Sequence, residues 1–268
     1  MSKIGKQIRI ERIIHKKSKN MVIIPMDHGI SDGPIKGLSN IAESINKVAE
    51  GKADAVLMHK GMVEHGYRGY GLDIGLIIHA SVSTALGPDP NDKVQACTVK
   101  EAIQLGADAI SLHVNIGSET ESAQLQILGN VARDCDHYGI PLLSMMYPRG
   151  KNIKNPYDKD LVAHVVRIGA ELGSDIIKTV YTGCIDSFKE VVDGCPIPII
   201  VAGGPKTNTD REFLEMISNA MNAGARGVAI GRNVFQHKSP TKMTKAITKI
   251  VHEKQSIESA LEVLVDEK

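Results

Sequence analysis

The stretch Gly173-Ser174-Asp175-Ile176-Ile177-Lys178-Thr179 decides the fold. A glycine stops the helical pattern before it, two small or polar residues turn the chain, and a β-branched run starts a strand. The signature recurs at Gly106-Ala107-Asp108-Ala109-Ile110 and at Gly224-Ala225-Arg226-Gly227-Val228, and Gly51-Lys52-Ala53-Asp54-Ala55-Val56 reads the same way. Working outward from these junctions gives eight candidate strands: Met21–Asp27, Ala55–His59, Leu76–Ser81, Ala109–Val114, Pro141–Tyr147, Asp175–Val180, Ile199–Ala202 and Val228–Ile230. Several are near-continuous apolar runs, as parallel strands covered by helices should be. Helical patterns lie between them at Leu38–Glu50, Val99–Leu105, Glu121–Tyr138, Asp158–Leu172, Ile185–Val192 and Asp210–Ala223. This alternation predicts an α/β fold of the (β/α)8 type, a TIM barrel. Its rival, an open doubly wound sheet, would carry a GxGxxG fingerprint after the first strand, and none is present. Thr241–Glu253 and Ser256–Val265 read as closing helices within 240–268, and residues 1–20 as an N-terminal extension. No low-complexity linker divides the chain, so the expectation is one domain over 1–268.

Composition narrows the function. With 32 basic against 31 acidic side chains and a formal charge of +1, bulk-charge binding to nucleic acid is excluded. No window approaches the ~20 apolar residues that a membrane helix needs. The start lacks the apolar core of a signal peptide. Cys97, Cys135, Cys184 and Cys195 form no CxxC pair, so free thiols in a reducing cytoplasm are expected. Aromatic residues make up only 3%, with no Trp, so the core must be aliphatic.

A barrel of this type places its chemistry at the C-terminal ends of its strands. Lys178 lies in the sixth candidate strand and shares a face with Ile176. That face looks either into the barrel or toward the helices. The plain reading is a lysine that snorkels to the rim or pairs with a carboxylate. The functional reading is an amine made nucleophilic by desolvation, able to form a Schiff base. Asp27 ends the first strand in Pro25-Met26-Asp27-His28-Gly29, where it could cap the loop or balance a cation. Tyr147 ends the fifth in Met145-Met146-Tyr147-Pro148-Arg149, as a rim residue or as a phenol that relays a proton. Together an acid, a phenol and a lysine supply what an imine-forming aldolase needs.

Two glycine-rich ends follow the seventh and eighth strands: Ala202-Gly203-Gly204-Pro205-Lys206 and Ile230-Gly231-Arg232-Asn233. Each could be a tight turn. Consecutive in the fold, and each with a basic residue close behind, they point to a phosphorylated small molecule held by backbone N–H groups. Arg149 could serve the same ligand. His59 and His65 lie six apart, and His28, His79 and His113 stand at or near strand ends, but no HxH or HxxxH pair appears, so no metal is expected.

At these residues the sequence resembles the archaeal class I aldolases. The resemblance runs from Ile8-Arg9-Ile10-Glu11-Arg12 almost to the end. It is carried by Pro25-Met26-Asp27-His28-Gly29-Ile30-Ser31, Met145-Met146-Tyr147-Pro148-Arg149-Gly150, Lys178-Thr179 with Tyr181-Thr182-Gly183, and Val201-Ala202-Gly203-Gly204-Pro205-Lys206. It implies that Lys178 forms the Schiff base, Tyr147 donates a proton and Asp27 accepts one. Substrate contacts would come from Asp27, His28, Gly29, Ile30, Ser31, Tyr147, Pro148, Arg149, Lys178, Gly203, Gly204, Gly231 and Arg232. The implied reaction is a transaldol step: a 1-deoxy-hexo-2,5-diulose 6-phosphate loses hydroxypyruvaldehyde phosphate, and the retained three-carbon enamine adds to L-aspartate semialdehyde. This would be an early step toward 3-dehydroquinate and the aromatic amino acids. No cofactor is implied, and members look like homo-oligomers, decamers of two pentameric rings. Arg68, Arg149 and His28 are candidates for reading the acceptor's amino and carboxylate groups. Fructose-bisphosphate aldolases of the same group carry Trp two residues before the Tyr; here that residue is Met145. A second alternative is a silent barrel that only binds a sugar phosphate.

Overall fold

Side-chain parity along the strands sorts the apolar residues into two cores. In the computed structural model, which describes residues 3–69, 73–204 and 207–265, the first strand β1 (Met21–Pro25) sends Met21 and Ile23 one way and Val22 and Ile24 the other. The first pair joins Leu57, Ile77, Leu143, Ile176 and Ile200 in a cluster inside the barrel. The second pair packs with the surrounding helices. Both faces are buried, which explains the unbroken apolar runs.

The barrel strands that follow are β2 (Ala55–Met58), β3 (Gly75–His79), β4 (Ala109–Ile116), β5 (Leu142–Pro148), β6 (Ile176–Thr179), β7 (Ile199–Ala202) and β8 (Gly227–Ala229). Each pairs in parallel with its sequence neighbour, and β1 pairs with both β2 and β8, which closes the ring. All eight expected strands are present. The expected helices are there too, most with a side-chain cap at the start. In α3 (Ile41–Glu50) the Asn40 side chain accepts from the Glu43 N–H at 3.1 Å, and Ile41, Ile45 and Val48 form the buried stripe. The next helix, α4 (Val99–Gln104), opens with a Thr98/Glu101 capping box. Then come α5 (Glu121–Tyr138), α6 (Lys159–Glu171), α7 (Ile185–Asp193) and α8 (Asp210–Asn222). Short α9 (Arg232–Phe235) follows β8, and α10 (Pro240–Glu253) and α11 (Ile257–Glu262) close the chain. Among the described residues no helix is long and apolar enough to cross a membrane.

Three features lie outside the sequence reading. The N-terminal extension contains a helix, α1 (Ile4–Ile10), and its Ile13 enters the barrel interior. A five-residue helix, α2 (His28–Asp32), begins at Asp27. Between β3 and α4 the chain makes a two-stranded antiparallel pair, Ser81–Val82 with Val94–Gln95.

The repeated junction also has a physical meaning. Asp54, Asp108 and Asp175 each accept the backbone N–H of the residue at or next to the start of the preceding strand: Val22 at 2.7 Å, Leu76 at 2.9 Å and Leu142 at 2.8 Å. Each also meets a base from a terminal segment, namely His252 at 3.0 Å, Arg12, and Lys6 at 2.8 Å. Gly106, Gly173 and Gly224 take positive φ of 81°, 94° and 102°, the left-handed stop that favours glycine. The Gly51 junction differs. There Lys52 takes the left-handed turn, and Gly51 is small because a Cβ would lie 2.4 Å from Thr244 Cβ.

Candidate active site

Inward parity continues past the strand ends. Asp27 extends the row of Met21 and Ile23, Tyr147 follows Leu143 and Met145 on β5, and Lys178 follows Ile176 on β6. The face left open by the sequence is therefore the barrel interior. All three residues line one cleft of about 420 Å³ at the C-terminal mouth.

Lys178 is 8% exposed, and its Nζ lies 3.9 Å from the sulfur of Met145, its register partner on β5. A thioether is a weak acceptor and leaves the amine available to a carbonyl. The Tyr147 ring is buried between His113, at 5.0 Å between centroids, and the Arg149 guanidinium, 4.8 Å from the ring centre. His113 itself is held well below the usual imidazole range by burial, with Lys93 and Arg149 adding to it.

Asp27 meets imidazoles on two sides, His28 Nδ1 at 3.5 Å and His79 Nε2 at 3.8 Å. Burial pushes its carboxyl up, yet His79, His28, Lys178 and His59 outweigh that and hold it below its ordinary value. Burial in turn drives His79 down to about 3 against the pull of Asp27. The His79 ring is thus neutral at pH 7. Its Nε2 faces the Asp27 carboxylate at 3.8 Å, which favours the proton on that nitrogen, and Nδ1, 2.7 Å from the Ser111 hydroxyl, then accepts from it. Asp27 is therefore ionised, with a neutral imidazole N–H on its flank.

The two glycine-rich ends converge as the sequence suggests. Asn233 ties them: its Nδ2 donates to the Gly203 carbonyl at 3.2 Å and its Oδ1 accepts from the Thr207 N–H at 3.3 Å. A Cβ at Gly203 would come within 2.8 Å of Ile230, and one at Gly231 within 2.6 Å of His28. Close approach of backbone to neighbour requires glycine at both. Gly204 and Arg232 line the cleft with them. Pro205 and Lys206 lie outside the described residues.

His28, Ser31 and Arg149 also line the cleft. Gly29, Ile30 and Pro148 are not among its lining residues. Pro148 has the opposite parity to Tyr147 and Arg149, and the Ile30 side chain is 39% exposed. Arg68 is not in the cleft either; it pairs with Asp73, Nη2 to Oδ2 at 2.9 Å, so it cannot read an acceptor there. Three lining residues escaped the sequence reading: Asp32, Lys93 and Tyr157. The signal for Lys93 was length, because the connection from β3 to α4 is longer than a plain βα turn and such excursions carry function. Among the described residues no group of three His, Cys, Asp or Glu side chains is arranged to hold a metal ion.

Comparison with known proteins agrees with this geometry. Residues 21–237 match the DeoC/LacD family aldolases. The chain is 46% identical over 259 residues to 2-amino-3,7-dideoxy-D-threo-hept-6-ulosonate synthase 1 of Archaeoglobus fulgidus, covering 97% of this chain and 95% of that protein. It is 44% identical to the synthase of the same name from Halobacterium salinarum, covering 97% of each. A solved Schiff-base-forming fructose-1,6-bisphosphate aldolase superposes with a TM-score of 0.86 at 30% identity, covering 92% of this chain and all of that one. With an eight-stranded barrel, an interior lysine at its mouth and a family match over most of its length, the chain belongs to the DeoC/LacD family of aldolases.

Proposed function

We propose that the protein is a lysine-dependent transaldolase. It moves a three-carbon enamine from 1-deoxy-D-threo-hexo-2,5-diulose 6-phosphate to L-aspartate semialdehyde. The products are 2-amino-3,7-dideoxy-D-threo-hept-6-ulosonate and hydroxypyruvaldehyde phosphate, early on the route to 3-dehydroquinate and aromatic amino acids. The observation that carries the reading is the interior Lys178 amine in one cleft with Asp27 and Tyr147, in a chain 46% identical to a synthase of that name.

The chemistry follows from the side chains. Lys178 adds to the C2 ketone, and Tyr147 supplies the proton that lets the carbinol oxygen leave as water. The protonated imine draws electrons from the C3–C4 bond while Asp27 takes the C4 hydroxyl proton. That bond breaks, the phosphorylated aldehyde departs, and an enamine stays on Lys178. The enamine carbon then bonds to the aldehyde carbon of the semialdehyde, and Asp27 returns its proton to the new alkoxide. Water releases the product and restores the amine. Gly203, Gly204, Gly231 and Arg232 hold the phosphate of the donor by backbone N–H groups and a guanidinium. Each step is served by a protein group, so no cofactor is called for.

We read the enzyme as cytoplasmic and as a homo-oligomer, a decamer by its resemblance. For the oligomer, Ile4 and Ile8, both 58% exposed on α1, offer apolar surface that another copy would cover.

The test is trapping. Diulose phosphate plus borohydride should add mass to the peptide containing Lys178, and Lys178→Ala should abolish it. Mass gain that survives the substitution would sink the assignment. Faster turnover of fructose 1,6-bisphosphate than of the diulose phosphate with aspartate semialdehyde would move the protein to the bisphosphate aldolases.

A further inference from the structure

The phosphate of the donor has its cradle on the β7 and β8 ends of the ring. The strand order β1-β8-β7-β6-β5-β4-β3-β2 puts the β3 and β4 ends across the mouth from it. That far wall is not apolar. From that side the excursion between β3 and α4 brings Lys93 into the cleft, and the last residue of α2, which follows β1, brings Asp32. One short loop joins their segments. Ser83 accepts the Lys93 ammonium on its hydroxyl, and its carbonyl accepts the Ser31 hydroxyl at 3.4 Å. The Ser31 carbonyl in turn accepts the Ala85 N–H at 3.1 Å. A half-buried cation and an exposed anion thus line one cleft within electrostatic reach of each other, and the short loop at Ser83 and Ala85 touches the segments of both.

Such a pair suits one class of ligand. A second sugar phosphate would meet Lys93 favourably but would be repelled by Asp32. An α-amino acid carries a carboxylate and an ammonium on one carbon, and needs a cation and an anion close together. The donor has no cationic group to pair with Asp32, whereas the α-ammonium of such an acceptor does pair with it. We propose that Lys93 and Asp32 recognise the α-carboxylate and the α-ammonium of the acceptor, and so make this aldolase specific for an amino-acid aldehyde. The inference rests on the transaldolase reading above and names the acceptor subsite of that same cleft. Lys93 keeps its charge balance without the ligand, being near Asp27, Asp89 and Asp32 as well as Arg149. The acceptor completes a site that is already paired.

Two truncated acceptors test the two contacts separately. Succinic semialdehyde keeps the carboxylate and lacks the amino group; 3-aminopropanal keeps the amino group and lacks the carboxylate. In Lys93→Met, the ratio of kcat/KM for aspartate semialdehyde to that for 3-aminopropanal should fall about ten-fold or more, the worth of a hydrogen bond to a charged group. In Asp32→Asn, the ratio for aspartate semialdehyde to succinic semialdehyde should fall by roughly five-fold at most, because the residue is exposed. Ratios cancel any general damage from the substitution. Ratios that stay at the native values in both variants would overturn the proposal. Failure of the native protein to trap the diulose phosphate on Lys178 would instead overturn the transaldolase reading, and this one with it.

Discussion

Aspartates at the two ends of the barrel are used in opposite ways. At the N-terminal end Asp54, Asp108 and Asp175 each hold a backbone N–H and a base, and clip one strand to the next. At the C-terminal mouth Asp27 is the first residue before α2, yet its side chain caps nothing. It faces imidazoles at 3.5 and 3.8 Å, longer than a good hydrogen bond. The same side chain is saturated where it supports the fold and held available where it reacts. A barrel can therefore vary its chemistry at one end without loosening the other.

The largest expected effect is at the mouth. Asp27→Asn keeps the shape and removes the base, so transaldol turnover should fall by about 10²–10⁴-fold. Its thermal midpoint should fall little, because no backbone bond is broken and the favourable charges around the carboxylate are largely offset by its burial. Steady-state assays and melts on the same sample check both. A clear drop in midpoint would show that Asp27 supports the fold as its counterparts do, and would erase the contrast.

At the other end Asp175→Ala should leave kcat alone and cost stability. It strips the Leu142 N–H of its acceptor and Lys6 of one of two carboxylates, the other being Asp136 at 2.6 Å. The loss should be about 2–3 kcal/mol, or a midpoint lower by roughly 4–10 °C. Asp175→Asn keeps an oxygen for the N–H and should lose less. Calorimetry ranks the three; an unchanged midpoint in the alanine variant would show that the clip is idle.

The contrast was only half visible in the sequence. The repeated Gly-x-x junction revealed the barrel because every copy must stop a helix and start a strand, and local chemistry does both. It did not reveal why Asp recurs in three of the junctions, since the N–H each clips belongs to a strand more than thirty residues earlier. Arg226 occupies the fourth such junction and does another task, donating to the Lys19 carbonyl at 3.2 Å. Lys178, Tyr147 and Asp27 were legible because strand-end positions are ordered by parity. Lys93 and Asp32 were not, because a long loop and a five-residue helix carry no period. Ser83 and Ala85, which hydrogen-bond to Ser31, bring the two segments together.

The smallest effect separates the ends by pH. An unfolded imidazole binds its proton near 6.5, whereas folded His79 binds one only at about 3. Below pH 6.5 the unfolded chain gains a proton that the native chain refuses. Stability that is complete above that pH is therefore lost as the pH falls toward 3. Between pH 7 and 6 His79 alone should cost about 0.7 kcal/mol. His28, His59 and His113 shift in the same direction. Asp27 works in a lower window, since its folded value lies below the ordinary 3.8 and its contribution fades only in stronger acid. Urea melts at pH 7 and pH 6 should show the native protein losing more stability than His79→Gln over that step. Equal losses would mean that the His79 ring takes its proton as readily folded as unfolded, and the neutral N–H facing Asp27 would have to be abandoned.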